Sequence, residues 1–369
     1  MMTSRERIGR ILRRKKTDRV GLFEVFWGPT AQSWVDAGHF ARPEEAEDHF
    51  NIELRRTSGN VTPLATLLDL SANPGVTEVV EETAEWRLVR DGNGALLRSP
   101  KSGIGGVEHV DFLVKDRAAW EEHIRPRIAD RGLYRQRINV ELYRKWRNHC
   151  RKHDLFLSCG VAGAFDSMNL VCGHEYTLMG MGLDPDWSTA MMDAYATANI
   201  EMMETLFAAE GEPDGVWIWD DLGFKNGPFM SPAMYRELVM PYHKRVIDFA
   251  HSRKLPVILH CDGFVESLIP SLIEAGVDCL QPLEAKAGMD LVRIKRQFGD
   301  RLSFCGGMDA RALLTNDLAV VRAELEEKLP AAMAGGGYIL QADHSVPLGV
   351  KYETYKYFVE KGLEMGTYK

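Results

Sequence analysis

The sequence predicts an α/β fold of the TIM-type (β/α)8 barrel class with an N-terminal helical and β-hairpin elaboration, and three observations carry that expectation. Short, largely apolar runs of strand length recur at 155–160, 216–221, 257–259, 277–284, 302–309 and 338–344. Helical patterns lie between them: apolar residues fall at roughly helical spacing over 232–253, and 265–275 repeats the pattern before Gly276 stops it. Most of the runs close on polar or acidic side chains, among them Asp220-Asp221, His260-Cys261-Asp262-Gly263, Glu284, Asp309 and Asp343-His344. In a closed parallel barrel the chemistry sits at the carboxyl ends of the strands, where the loops open into one pocket. A doubly wound open sheet is the competing architecture. It has less support, because no Gly-rich fingerprint follows the first strand and ligating residues recur on too many strands for a single crevice.

In chain order, a helical pattern at 4–14 leads to a strand at 20–26 that carries Glu24 and runs into Trp27-Gly28-Pro29. Residues 30–70 read as a helical region punctuated by Gly38 and Pro43. The stretch 77–99 shows partial two-residue alternation around a D-G-N-G turn, which predicts antiparallel strands joined by a tight hairpin. This elaboration is placed at about 71–130 within one domain spanning 1–369. A polar, basic helix over 134–152 precedes the strand at 155. No low-complexity linker and no internal repeat interrupts the pattern.

The 369 residues are 45% hydrophobic and 27% charged, with a formal net charge of −8, which argues against a nucleic-acid partner. The basic run Arg13-Arg14-Lys15-Lys16 falls at the end of a helical pattern, where cations suit the negative helix terminus. The N-terminus is charged, and no apolar segment reaches the roughly 18 residues of a membrane span, so a cytoplasmic protein without membrane association is expected. Cys150, Cys159, Cys172, Cys261, Cys279 and Cys305 lie far apart with no C-x-x-C pair, which predicts reduced thiols, with Cys279 and Cys305 as core filling.

H-C-D-G at 260–263, L-Q-P-L-E at 280–284, F-C-G-G-M-D at 304–309 and Y-I-L-Q-A-D-H-S-V-P at 338–347 together resemble the uroporphyrinogen decarboxylase superfamily. Within it the chain is more similar to the cobalamin-dependent, zinc-using methyltransferase branch than to the decarboxylases. The resemblance runs from about 216 to 355 and implies a barrel with its active site at the strand carboxyl ends. Decarboxylases of the family grip tetrapyrrole propionates with an N-terminal R-Q-A-G-R motif, but here 23–34 reads F-E-V-F-W-G-P-T-A-Q-S-W, without arginine. The methyltransferase branch holds zinc with His-x-Cys, a glutamate and a later cysteine. Matched residue by residue, His260 stands for the histidine, Asp262 for the first cysteine, Glu284 for the glutamate and His344 for the last cysteine. Replacing both thiolates makes a harder N/O site, suited to an oxygen or amine leaving group more than to thiol activation.

Each candidate also has an ordinary reading. His260 suits a core histidine, Asp262 a loop-capping acid, Glu284 a salt bridge to Lys286 or Arg293, and His344 a loop position. Asp220 and Asp221 are candidate catalytic acids of which strand alternation turns only one inward, or else a helix cap. Glu24 is near enough to the end of its strand to reach the same space. Gly306 and Gly307 would let backbone approach a flat cofactor, and Phe26, Trp27 and Phe224 would wall a small pocket.

The function expected from the resemblance is a corrinoid-dependent methyltransferase that moves a methyl group from a small methoxy or methylamine compound to cobalt. The corrinoid (cobalamin) would be supplied by a partner protein, because the chain has no Asp-x-His-x-x-Gly signature. Zinc would act as Lewis acid. The alternatives are a cofactor-independent decarboxylase, a methylcobalamin-to-acceptor methyltransferase, or a non-catalytic binding protein. The sequence is compatible with a homodimer and does not fix the oligomeric state.

Overall fold

The computed structural model describes residues 2–57, 67–103 and 106–368. Eight short strands build the barrel: β1 (Gly21–Leu22), β2 (Leu54–Arg56), β3 (Phe156–Ala162), β4 (Gly215–Trp219), β5 (Val257–His260), β6 (Cys279–Gln281), β7 (Ser303–Cys305) and β8 (Tyr338–Leu340). Their order is β1-β8-β7-β6-β5-β4-β3-β2, and every neighbouring pair is parallel. The two ends of that order meet, since the Glu53 backbone N–H donates to the Leu22 carbonyl at 3.0 Å and the Leu22 N–H donates to the Glu53 carboxylate at 2.9 Å. The sheet is therefore a nearly closed TIM-type barrel. Val257, Ile258 and Leu259 are fully buried, as expected of a strand covered on one side by helices and on the other by the barrel interior. Cys279 and Cys305 are buried, free core residues.

The segment expected to be helical over 30–70 is only partly so. Helix Gly28–Asp36, a 3-10 turn Pro43–Glu45 and the short helix Ala46–His49 are followed by the barrel strand β2, and 58–66 lie outside the described residues. The strand is masked in the sequence by its charges, which the fold neutralises pairwise. Arg55 is buried against Glu47 at 3.2 Å and Asp48 at 2.7 Å, and buried Glu53 pairs with Arg7 and, at 3.0 Å, with Arg19. Charges are tolerated inside when each meets its opposite.

The N-terminal elaboration is a four-stranded antiparallel sheet, Thr77–Glu82, Trp86–Asp91, Leu96–Pro100 and Glu108–Asp111, paired in chain order. The D-G-N-G turn joins its second and third strands, with the Asp91 carboxylate accepting from the Asn93 and Ala95 N–H groups. Its outer strands are exposed along their length. Among the described residues no helix is long and apolar enough to cross a membrane.

Candidate metal centre at the barrel mouth

His260 closes β5 and is level with Trp219 of β4 and Gln281 of β6. Beyond these strand ends the chain turns, and two aspartates come to the imidazole. The Asp262 N–H donates to Asp221 Oδ1 at 2.9 Å, which ties the two loops together. His260 Nε2 lies 3.7 Å from Asp221 Oδ1 and 3.7 Å from Asp262 Oδ2, while His344 Nε2 lies 3.8 Å from the same Asp262 oxygen. Among the described residues, Asp221, His260 and Asp262 offer ligand atoms all within 4.8 Å of one another. Donors around a tetrahedral zinc with bonds of about 2 Å stand about 3.3 Å apart, so the two His260–aspartate separations need to contract by only a few tenths of an ångström. Asp262 Oδ1 is buried with no hydrogen-bond partner, and such an atom is costly unless something binds it. Burial pushes the Asp262 carboxyl up, reinforced by Asp221 and Glu284 and opposed by His260 and His344. A cation is what this donor set fits.

The barrel interior sets the imidazole tautomer. Gln281 Nε2 donates to Gln341 Oε1 at 3.1 Å, which turns Gln281 Oε1 toward His260 Nδ1 at 2.6 Å. An amide oxygen only accepts, so Nδ1 carries the proton and the Nε2 lone pair faces the aspartates. Trp217 stacks on the same ring with centroids 6.2 Å apart. His344 is held by its neighbour: buried Asp343 accepts the Ala285 and Ala310 N–H groups, both at 2.8 Å, and so ties the loops after β6, β7 and β8.

The adjacent aspartates have different jobs. Asp220 is fully buried and accepts the Phe165 and Asp166 N–H groups at the start of helix Ala164–Leu183, together with His243 Nε2, whose Nδ1 meets the Tyr235 hydroxyl at 2.9 Å. It caps a helix from another part of the chain and points away from the mouth; Asp221 points into it. Asp166, which the sequence reading did not single out, accepts the Asp221 N–H at 3.2 Å. Burial, then the charges of Asp220 and Asp221, push its carboxyl well above the usual range.

Other candidates lie around the cluster. Glu284 Oε2 accepts the Gly263 N–H at 2.8 Å and Oε1 pairs with Lys286 at 2.8 Å, so both oxygens are engaged and the residue positions the Asp262 loop. Gly263 must be glycine there: its φ is +82°, and a Cβ would sit 2.5 Å from the Gly223 carbonyl carbon. Gly306 and Gly307, expected to admit a flat cofactor, spend their freedom on packing. A Cβ on Gly306 would lie 2.1 Å from the Pro282 oxygen, and one on Gly307 2.9 Å from Leu291 Cβ. Of the expected apolar walls, Phe26 is core against Trp34, Phe50 and Tyr355, and Phe224 is 64% exposed beside Phe229.

Glu24 stands apart from the metal cluster. It is fully buried, accepts the Val25 N–H at 3.0 Å and the Ala342 N–H at 3.2 Å, and its carboxyl is pushed up to about 8 by burial. Because the folded value lies above the ordinary 4.5, the folded state binds the proton more tightly. Its contribution is complete below about pH 4.5 and lost as pH rises through about 8. Urea unfolding at pH 5.5, 7 and 8.5 should therefore show a stability loss on the order of a few kcal/mol that Glu24→Gln flattens. Parallel slopes in the two proteins would mean that Glu24 ionises normally.

A family model described as uroporphyrinogen decarboxylase (URO-D) matches residues 140–364, more than half of the chain. The uroporphyrinogen decarboxylase of Pelobacter propionicus is 24% identical over 176 residues, 48% of each protein. That of Ectopseudomonas mendocina is 29% identical over 128 residues, 32% of this chain and 34% of the relative. The chain thus spans about half the length, or less, of the curated relatives it matches. A solved structure of a methyltransferase from Methanosarcina mazei superposes with a TM-score of 0.69 at 18% identity, covering 99% of both chains. At that identity the likeness is one of fold.

Proposed function

This chain belongs to the uroporphyrinogen decarboxylase family, and from that premise we propose that it is a methyltransferase that takes a methyl group from oxygen or nitrogen of a small compound. The observation that carries the reading is the thiolate-free donor set of Asp221, His260 and Asp262, with His344 beside it. These four residues would hold a zinc ion, whose chemistry when bound is Lewis-acid polarisation of the atom that carries the methyl group. Relative to the sequence reading, Asp221 joins the set and Glu284 supports it from behind. The protein supplies orientation and protons. Gln281 fixes the reactive face of His260, and Asp166, whose carboxyl is raised by burial beside Asp220 and Asp221, is the proposed proton donor to the oxygen or nitrogen that the methyl group leaves. The methyl acceptor is proposed to be the cobalt of a corrinoid carried by a partner protein. The methyltransferase fold of the Methanosarcina mazei structure supports this branch.

The test combines elemental analysis with methylation of Co(I) cobalamin by methoxyaromatics, methanol, methylamines and betaines, run beside methylcobalamin-to-thiol transfer. Bound zinc and turnover of at least one oxygen or nitrogen donor are expected, with thiol methylation slower. Efficient thiol methylation with no donor accepted would sink the argument from ligand hardness. A decarboxylase reading draws support from the curated relatives. It requires release of carbon dioxide from uroporphyrinogen by the metal-free protein, and the absence of arginine over 23–34 weighs against it.

A further inference from the structure

The hydrogen-bond chain behind His260 has a direction, and that direction is decided two side chains away from the metal centre. Gln281 and Gln341 are both buried, so their amides turn only as far as their neighbours permit. Gln341 Oε1 accepts from Gln281 Nε2 and from Cys305 Sγ, each at 3.1 Å. Burial, then the charges of Cys279 and Glu24, push the Cys305 thiol well above its usual range, so at neutral pH the sulfur keeps its hydrogen and donates it. Gln341 Nε2 makes no hydrogen bond of its own; the carboxyl it acts on is that of Glu24, whose rise on burial the amide opposes.

Two arrangements of this chain are self-consistent. In the one observed, Gln341 turns its oxygen to Gln281, Gln281 turns its oxygen to His260, and Nδ1 carries the imidazole proton. Turning the Gln341 amide over would set its NH2 group against the Gln281 NH2 group and the Cys305 S–H. Gln281 would then have to turn as well and offer a donor to Nδ1. The imidazole proton would move to Nε2, which faces Asp221 and Asp262, and a protonated Nε2 has no lone pair for a metal.

We propose that Gln341 is a positioning residue for the metal centre: anchored by the Cys305 thiol, it holds the Gln281 amide in the direction that leaves His260 Nε2 open to a cation. The proposal rests on the metal-centre reading above. It gives Cys305, a residue with the sequence habits of core filling, a directional task, and it places the control of a mouth residue in the interior of the barrel.

The experiment reads the tautomer directly, by nitrogen-15 NMR of the zinc-free protein labelled in histidine, at about pH 8, above the ordinary imidazole value. The His260 signals are assigned by their loss in His260→Ala. The wild type should carry the proton on Nδ1, and Gln341→Leu should shift it wholly or partly to Nε2 while zinc affinity, measured by competition with a chelator, falls about tenfold. Gln341→Glu keeps an acceptor oxygen for Gln281 Nε2 and Cys305 Sγ and should restore the Nδ1 form, which loss of packing alone would not explain. If Gln341→Leu does not fold, Cys305→Ala decides: without the S–H the two tautomers should coexist, and a pure Nδ1 form overturns the assignment. A wild type protonated on Nε2, or a Gln341→Leu protein still protonated on Nδ1, would overturn the proposal and leave the donor set standing. A changed tautomer with unchanged zinc affinity would overturn the role at the metal centre and count against His260 as a ligand.

Discussion

Asp220→Ala is expected to destabilise the protein by about 3–5 kcal/mol, whereas Asp221→Ala, one residue on, should fold normally and lose at least tenfold in metal affinity. Asp220 is fully buried and receives two backbone N–H groups and His243 Nε2. Its removal strands a buried imidazole and the first turn of helix Ala164–Leu183, both away from water. For a chain of this length that corresponds to a fall in melting temperature of about 4–6 °C. Asp221 has a 43% exposed side chain, and its hydrogen bond to the Asp262 N–H can be replaced by water. Thermal unfolding followed by circular dichroism, with metal content on the same samples, separates the two. An Asp220→Ala protein melting within a couple of degrees of wild type would show the buried network to be dispensable. Full metal retention in Asp221→Ala would remove that residue from the proposed set.

That contrast marks where the sequence stops being readable. Two aspartates at the end of V-W-I-W-D-D announce a strand end, and alternation says that they diverge. It cannot say which one enters the mouth, because β4 ends at Trp219 and the chain has turned before either aspartate. The strands β3 to β8 were legible because each is a short apolar run between helical patterns. β2 was not, since E-L-R-R carries three charges whose partners Arg7, Arg19, Glu47 and Asp48 are identified only by the fold. His260, Asp262 and His344 were legible as polar residues at strand ends, while Glu284, a match by position, has its oxygens committed to Gly263 and Lys286.

The supporting layer left a fainter trace. Gln281 and Gln341 stand at equivalent places in C-L-Q-P and I-L-Q-A, just after the apolar core of β6 and β8. An amide repeated at two strand ends is a signal for an interior hydrogen-bond chain, and the structure joins the pair at 3.1 Å with Cys305 Sγ also donating to Gln341 Oε1 at 3.1 Å. Asp166 gave no such signal, because an acid in the first turn of a helix is ordinary. Its distinction is the company of Asp220 and Asp221, which arrive from a segment 54 and 55 residues away.

His260→Ala should lose bound zinc and at least a thousandfold in methyl transfer while melting within a few degrees of wild type. The ring is 19% exposed at the mouth and its partner Gln281 keeps its bond to Gln341, so truncation empties a ligand position without opening the core. Gln281→Leu is the informative companion. It leaves every proposed metal donor in place but removes the acceptor at 2.6 Å from His260 Nδ1, so the imidazole is free to take the other tautomer or rotate. Loss of such a supporting partner costs about 10–100-fold in metal affinity or activity, less than loss of the ligand itself. The expected order is therefore wild type, then Gln281→Leu, then His260→Ala, read in zinc dissociation constants by competition with a chelator and in rates with excess zinc. Excess zinc should rescue Gln281→Leu in part and His260→Ala not at all. If His260→Ala keeps its zinc and its rate, the metal does not bind at the end of β5. If it unfolds, His260 is a core residue and the four donors are an accident of the barrel mouth.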